Sequence, residues 1–241
     1  MSESAHSMGL PQSSDIYNMG KYHWSTELVE QLRQLILNHR NIIILPHTAP
    51  DGDALGSTLA WAKVLQAAHP EATIQVLSPD RIENYLSWLP LLDKLLIYPD
   101  AEEESLRAIH EADLLFHLDH NQPSRLRYAP LIEATEQSKA PHILIDHHLD
   151  PDPTFTLNFS YPEASATCEL VHALILSLGW EQYITSEVAT LLLTGIITDT
   201  GRFMYSHLSP ELFTTTSDLL ARGADYLHII DRLTYHNPEI Q

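Results

Sequence analysis

Hydrophobic and polar positions along the chain follow two periods. Asn41–Leu45, Thr73–Leu77, Leu114–Leu118 and Ile143–Ile145 are short apolar runs rich in branched side chains. They are too short for helices of their own and predict buried strands. Between them the period lengthens. Leu28, Leu32, Leu35 and Ile36 recur at helical spacing behind Ser25 or Thr26 as N-cap. Ala54–Ala68 carries Leu55, Leu59, Ala62 and Leu65 on one face, Glu102–Glu111 carries Leu106 and Ile109, and a further helix spans Tyr128–Gln137. Ile82–Leu89 predicts a short helix ended by Pro90, and Leu95–Tyr98 a short strand. Strands alternating with helices predict an α/β fold, a parallel sheet with helices on both faces. After His148 the pattern changes. Leu149–Phe159 is irregular and proline-bearing, and from Ser165 the chain reads all-helical: Ala166–Leu178, Ser186–Thr198, Pro210–Arg222 and Tyr226–Tyr235. Ser209 and Gly223 are start and stop signals for the third of these.

The chain has 241 residues, 44% of them hydrophobic, enough for one large domain or two small ones. Residues 1–21 are rich in Ser, Gln and Gly and lack the apolar core of a signal peptide, so they read as a flexible tail. Folded sequence is expected over 22–236. No apolar stretch approaches the roughly 18 residues that suggest a membrane span. Cys168 is the single cysteine, so no intrachain disulfide forms, which fits a reducing, cytoplasmic setting. The net charge of −19 repels polynucleotide phosphates and argues against duplex binding. Small anions can still enter a site whose charge is reversed by bound metal.

Three of the predicted strands end in acids and histidines. Asn41–Leu45 leads into His47, Asp51 and Asp53; Leu114–Leu118 into Asp119, His120 and Asn121; Ile143–Ile145 into Asp146, His147 and His148. The carboxyl edge of an open α/β sheet is where ligands bind. Gly52 is expected to let the Asp51–Asp53 loop turn tightly. Asp199 ends a long apolar helix, where the helix dipole is already negative and a nearby cation would be welcome. Asp51, Asp53, Asp119 and Asp199 with His47 and His147 are too many ligands for one divalent ion and suit two. Two ions also balance four carboxylates. Mg²⁺ or Mn²⁺ suits such a set, and the imidazoles favour Mn²⁺. Paired ions of this kind activate water and clamp a phosphoryl group. His148 is left beside them as phosphate contact or proton donor. His117, His120 and His142 read as structural.

Four blocks carry a family resemblance. They are His47-Thr48-Ala49-Pro50-Asp51-Gly52-Asp53-Ala54-Leu55-Gly56-Ser57; Leu118-Asp119-His120-Asn121 with Ser124-Arg125-Leu126; Asp146-His147-His148; and Gly195-Ile196-Ile197-Thr198-Asp199-Thr200-Gly201-Arg202-Phe203. In order and spacing they resemble the four motifs of the DHH phosphoesterases. That resemblance implies a doubly wound catalytic domain with two Mn²⁺ ions, Mg²⁺ or Co²⁺ being substitutes. One ion would sit on His47, Asp51 and Asp119, the other on Asp53, Asp119, His147 and Asp199, with Asp119 bridging. His148 would face the substrate phosphate, Asp146 would orient the histidines, and Arg125, Arg202 and Asn121 would contact substrate. The motif details are most similar to the branch of bifunctional oligoribonucleases and 3′-phosphoadenosine-5′-phosphate (pAp) phosphatases. Its substrates are small nucleotides and short single-stranded RNA, and a homodimer is compatible with it; a pyrophosphatase or polyphosphatase, which uses the same four motifs, and a metal-binding but catalytically idle homologue are the alternative readings. Members of that branch carry a second domain with a Gly-Gly-Gly-His motif, which this sequence does not contain. Residues 237–241 are then expected to begin a linker whose second domain is absent.

Overall fold

The computed structural model describes residues 22, 24–205 and 208–235. The expected tail at 1–21 and linker at 237–241 lie outside the described residues. Six strands form one parallel sheet: β1 (Asn41–Leu45), β2 (Thr73–Ser78), β3 (Leu96–Ile97), β4 (Leu114–Leu118), β5 (His142–Asp146) and β6 (Leu157–Ser160). Their spatial order is β3-β2-β1-β4-β5-β6. Among the described residues eight α-helices accompany them: α1 (Thr26–Asn38), α2 (Gly52–Ala68), α3 (Glu102–Glu111), α4 (Ala129–Gln137), α5 (Thr167–Ser177), α6 (Ser186–Asp199), α7 (Pro210–Ala221) and α8 (Tyr226–Tyr235).

Period-two alternation explains why the sheet is covered on both sides. Ile42 and Ile44 of β1, Leu114 and Phe116 of β4, and Ile143 and Ile145 of β5 enter the larger core, which also holds apolar residues of α1, α2, α5 and α6. Ile43, Leu45 and Leu115 point the other way, onto Ile109 of α3 and Leu131 of α4. The chain runs outward from β1 through β2 to β3, then returns to the opposite side of β1 as β4. The reversal opens a crevice beyond the carboxyl ends of β1 and β4, the position at which open α/β sheets bind ligands.

The last α-helical elements bring the fourth motif to that crevice. α2 and α6 pack at very close range. A Cβ on Gly56 would lie 2.5 Å from the Leu191 carbonyl oxygen, and one on Gly195 would lie 2.3 Å from Cys168 Sγ and 2.6 Å from Asp53 Oδ1. Two glycines therefore set the spacing that puts Asp53, in the first turn of α2, beside Asp199, at the end of α6.

Four local expectations need correction. The segment Leu149–Phe159 is not wholly irregular, because Leu157–Ser160 adds an edge strand parallel to β5. Its buried residues, Leu157 and Phe159, alternate with exposed or half-buried ones, a signal hidden by Pro151 and Pro153 just before it. Ile82–Leu89 is a loop with one 3₁₀ turn, Asn84–Leu86, and the strand expected at Leu95–Tyr98 shortens to Leu96–Ile97 before a second such turn. Gly52 is the first residue of α2, not part of a tight turn. A Cβ there would come within 2.5 Å of Thr198 Oγ1, so its smallness serves close packing against α6.

Candidate metal centre

The crevice collects the acids and histidines from five elements. His47 follows β1, Asp51 caps α2, Asp53 lies in the first turn of α2, Asp119 follows β4, His147 follows β5 and Asp199 ends α6. Two groups of potential ligands form, His47 with Asp51 and Asp119, and Asp53 with His147 and Asp199, and a third, Asp119 with His147 and His148, overlaps both. Asp119 joins them. Its Oδ2 lies 3.4 Å from His47 Nε2 and its Oδ1 lies 3.5 Å from His147 Nε2. His147 Nε2 is also 3.4 Å from Asp199 Oδ2 and 4.0 Å from Asp53 Oδ2, while His47 Nε2 is 4.0 Å from Asp51 Oδ1. Asp119 has a φ of 62°, a left-handed conformation that non-glycine residues adopt only where their surroundings hold them there. The turn aims its carboxylate back between the two groups.

Each imidazole is oriented from behind. His47 Nδ1–H donates to the Thr48 carbonyl at 2.6 Å, and His147 Nδ1–H donates to the Ala164 carbonyl at 3.2 Å. Both bonds leave Nε2 turned toward the acids, the arrangement that presents an imidazole to a metal. Asp53 is completely buried. It accepts from the backbone of α5's first turn, Thr167 N–H at 2.6 Å on Oδ2 and Cys168 N–H at 2.9 Å on Oδ1. A carboxylate at a helix N-terminus is favoured by both the free N–H groups and the dipole. Thr167 Oγ1 donates to Asp119 Oδ1 at 3.0 Å. Asp51 Oδ1 caps α2 by accepting from Asp53 N–H at 2.9 Å and Ala54 N–H at 3.0 Å.

The electrostatics are those of a site short of positive charge. Burial pushes Asp53 well up, reinforced by Asp119 and Asp199, and burial likewise lifts Asp199 to about 6. Asp51 is raised by burial and by Asp119. Burial alone would lower His47 and His147, but their contacts with Asp119 outweigh it, and they rise to about 9 and about 10. Asp119 moves the opposite way: its two imidazoles overcome burial and hold it well below the usual carboxylate range. Protons on the histidines thus occupy the place that cations would take. Four carboxylates, two Nε2 atoms directed at them and a bridging acid fit divalent metal, with oxygen-rich, imidazole-containing seats.

Beside these groups, His148 Nδ1–H donates to Asp146 Oδ1 at 2.7 Å. Asp146 is fully buried, and its Oδ2 has no hydrogen-bond partner among the described residues. His148 is half-buried, 3.8 Å from Asp119 Oδ1 through Nδ1. Asp146 orients His148; the orienting partner of His147 is instead the Ala164 carbonyl. Three further polar candidates, Arg202, Asn121 and Arg125, are engaged by neighbouring segments. Arg202 donates through Nη2 to the Leu233 carbonyl at 3.1 Å, tying the turn after α6 to α8. Asn121 donates to the Leu149 carbonyl at 2.7 Å, closing the turn after β5. Arg125 has an exposed side chain, and its carbonyl accepts from Thr48 N–H at 2.9 Å. Thr167, Ala164 and Thr48 act on the ligands through contacts that motif matching does not reveal. A Thr opening a helix is the one local sign, and it is weak.

An open parallel sheet with an acid–histidine cluster at its switch point defines a class of α/β metal-site proteins. Within that class the chain belongs to the DHH family: the profile of the DHH family, N-terminal domain, matches residues 41–196. Among curated proteins it is 35% identical over 198 residues to the bifunctional oligoribonuclease and PAP phosphatase NrnA of Thermus thermophilus, covering 82% of this chain and 55% of that protein. It is 30% identical over 205 residues to the cyclic-di-AMP phosphodiesterase GdpP of Bacillus subtilis, covering 80% of this chain and 30% of that protein. Among solved structures, an exopolyphosphatase-related protein from Bacteroides fragilis superposes with a TM-score of 0.84 at 31% identity, over 89% of this chain and 62% of that one. The chain thus spans about half the length of the first of these relatives. Among the described residues, no helix is long and apolar enough to cross a membrane.

Proposed function

We propose that the chain is a metal-dependent phosphoesterase that hydrolyses phosphate ester bonds of small nucleotides, short oligoribonucleotides and pAp, with two divalent ions, Mn²⁺ by preference. The observation that carries this reading is Asp119, whose two oxygens face different histidines at 3.4 and 3.5 Å, each histidine within a separate group of acids. His47, Asp51 and Asp119 would hold one ion, and Asp53, Asp119, His147 and Asp199 the other. Ions bound there supply Lewis acidity toward water and toward a phosphoryl group. The chain's own residues do the rest. Thr48 and Ala164 carbonyls fix the imidazoles, the first turn of α5 holds Asp53 and Asp119, and Asp146 holds His148 with Nε2 free to meet a phosphate oxygen or give a proton to a leaving group. The curated relative from Thermus thermophilus, an oligoribonuclease and PAP phosphatase, supports the substrate class.

The test is Mn²⁺-dependent hydrolysis of pAp, a diribonucleotide and pyrophosphate, each beside Asp119→Ala. Release of AMP from pAp, or cleavage of the diribonucleotide, with loss in the variant, is the expected result. The loss should exceed the roughly 10–100-fold typical of removing an outer-shell partner, because Asp119 touches both seats. Turnover of pyrophosphate alone would replace the nucleotide reading. Bound metal with no turnover of any of the three would remove the catalytic reading for this chain.

A further inference from the structure

We propose that Asp80, an acid outside the metal cluster, is the positioning residue for the His47–Asp51 seat, and that the Asp53–His147–Asp199 seat is set independently of it. The inference rests on the two-seat reading above. Asp80 follows β2, the neighbour of β1, and its side chain is only 14% exposed. Oδ2 accepts from the Thr48 hydroxyl and from Ala49 N–H at 2.9 Å, and Oδ1 accepts from the Tyr128 hydroxyl at 2.9 Å. The Arg127 guanidinium lies 3.6 Å from Oδ2. Burial works against ionisation here, but the bonds from Thr48, Ala49 and Tyr128 outweigh it and hold the group below the ordinary carboxylate range. Asp80 is therefore a carboxylate at neutral pH, with acceptors for every donor aimed at it.

The donors it collects are the residues that shape the loop between two ligands. Thr48 supplies the carbonyl that orients His47. Ala49 has a φ of 47°, a left-handed conformation that an alanine does not take unaided. On the other flank Thr48 N–H is held by the Arg125 carbonyl at 2.9 Å. The loop is thus clamped between the turns after β2 and β4, and Asp80 is the charged half of the clamp. The second seat has other supports: the first turn of α5 holds Asp53, and Ala164 holds His147. None of those contacts involves Asp80.

Asp80→Asn puts an amide N–H₂ where the carboxylate now only accepts, so at least one of the Thr48, Ala49 and Tyr128 donors loses its acceptor. Mn²⁺ titration followed by electron paramagnetic resonance counts bound ions without requiring turnover. The wild-type chain should bind two ions. In D80N one of them should weaken by about 10–100-fold while the other holds, the range measured for outer-shell partners. Thr48→Val, which deletes the hydroxyl and keeps the carbonyl, should weaken the same ion and carries the test should D80N fail to fold. Asp113→Asn is the control. Asp113 clamps the opposite end of β1 by accepting from Arg40 and Asn41 N–H at 2.9 Å each. D113N should lower the melting temperature and leave both ions bound as before. Two ions held equally well in D80N and T48V, or both ions weakened alike, would overturn the role of Asp80. Fewer than two ions in the wild type would instead overturn the two-seat reading, and this one with it.

Discussion

Two groups of histidines lie along β1, β4 and β5, one just beyond the strands' carboxyl ends and the other running back into the sheet to the start of β5, and their chemistry is opposite. His47 and His147 face Asp119 and rise to about 9 and about 10. His117, His120 and His142 face one another. Burial drives His117 well down, helped by the other two, lowers His142, and takes His120 to about 4. The hydrogen bonds of this second group run in one sense. His120 Nδ1–H donates to the Leu118 carbonyl at 3.0 Å, so its Nε2 accepts from His117 Nδ1–H at 3.0 Å, and His117 Nε2 in turn accepts from His142 Nδ1–H at 3.1 Å. Every ring is neutral in that chain, and the central His117 has both nitrogens engaged, leaving none for a metal. Residue type is shared; carboxylates in direct contact with the ring are what differ. An imidazole becomes a cation or a metal ligand where acids converge, and a neutral core side chain where they do not.

The largest expected effect follows from that opposition. In the metal-free chain, His47 and His147 have folded values above the unfolded value of about 6.5. Their contribution to stability is fully present below 6.5 and is lost as pH rises through about 9 and about 10. The His117 group has the opposite sign: its folded values are depressed, so it costs stability as pH falls below about 6.5. Asp199, raised to about 6, works against that second trend only below pH 6. Between about pH 6.5 and 10 the His117 group therefore does not oppose the first. Melting temperatures of the metal-free chain should fall across this window, and saturating Mn²⁺ should abolish the fall by replacing the protons. A metal-free melting temperature that climbs toward pH 9 would show that the neutral trio dominates and that the acid cluster does not hold its imidazoles as cations.

Gly195→Ala separates the regions by packing. The added methyl meets Cys168 Sγ and Asp53 Oδ1 inside van der Waals distance, so α6 must shift or Asp53 must leave the α5 N-terminus. Overpacking of this kind costs about 1–3 kcal/mol. Urea unfolding should register that loss, and Mn²⁺ titration should show the Asp53 seat weakened. The histidine trio, on and just after β4 and at the start of β5, should keep its depressed values in an NMR titration of imidazole protons. Movement of the trio as well would mean that the sheet, not the α2–α6 contact, absorbs the strain.

Much of this arrangement is legible in the sequence, because it depends on local pattern. Runs such as Ile42–Leu45 and Ile143–Ile145 are short and branched and read as buried strands, and acids and histidines following such strands arrive at one edge of a parallel sheet. What is not legible depends on partners distant in the chain. Asp80 acts on Thr48, 32 residues away, and Cys168 N–H acts on Asp53, 115 residues away. Gly52 reads as a turn residue until Thr198 is seen against it. β6 follows two prolines that disguise a two-residue period, and the bond from Arg202 to the Leu233 carbonyl spans 31 residues of chain.

His117→Leu probes the trio itself. The substitution keeps apolar volume but leaves His120 Nε2 and His142 Nδ1–H without their partner. An orphaned buried polar group costs about 1–3 kcal/mol, and urea unfolding should show a loss of that order. Mn²⁺ affinity should be unchanged, because His117 supplies no ligand and its chain of bonds ends on the Leu118 carbonyl. A loss of metal binding equal to the loss of stability would make the trio part of the metal site.

His142→Gln is the mildest break and the sharpest measure of how much the trio's neutrality depends on its end. His142 is half-buried at the start of β5, and its backbone N–H is held by Thr156 Oγ1 at 3.1 Å whatever the side chain. A glutamine amide can donate to His117 Nε2 as His142 Nδ1–H does, so the change removes ring stacking, with centroids 5.2 Å apart, rather than the hydrogen bond. The expected loss is below the roughly 0.5–1.5 kcal/mol of a typical net hydrogen bond. His142 is also one of two imidazoles whose proximity lowers His117. Replacing it should let His117 titrate at a higher pH while still below its ordinary value, because burial is the larger cause. If His117 instead rose to the range of His47, the neutral group would owe its state to neighbouring rings and not to burial, and the contrast between the two histidine groups would lose its physical basis.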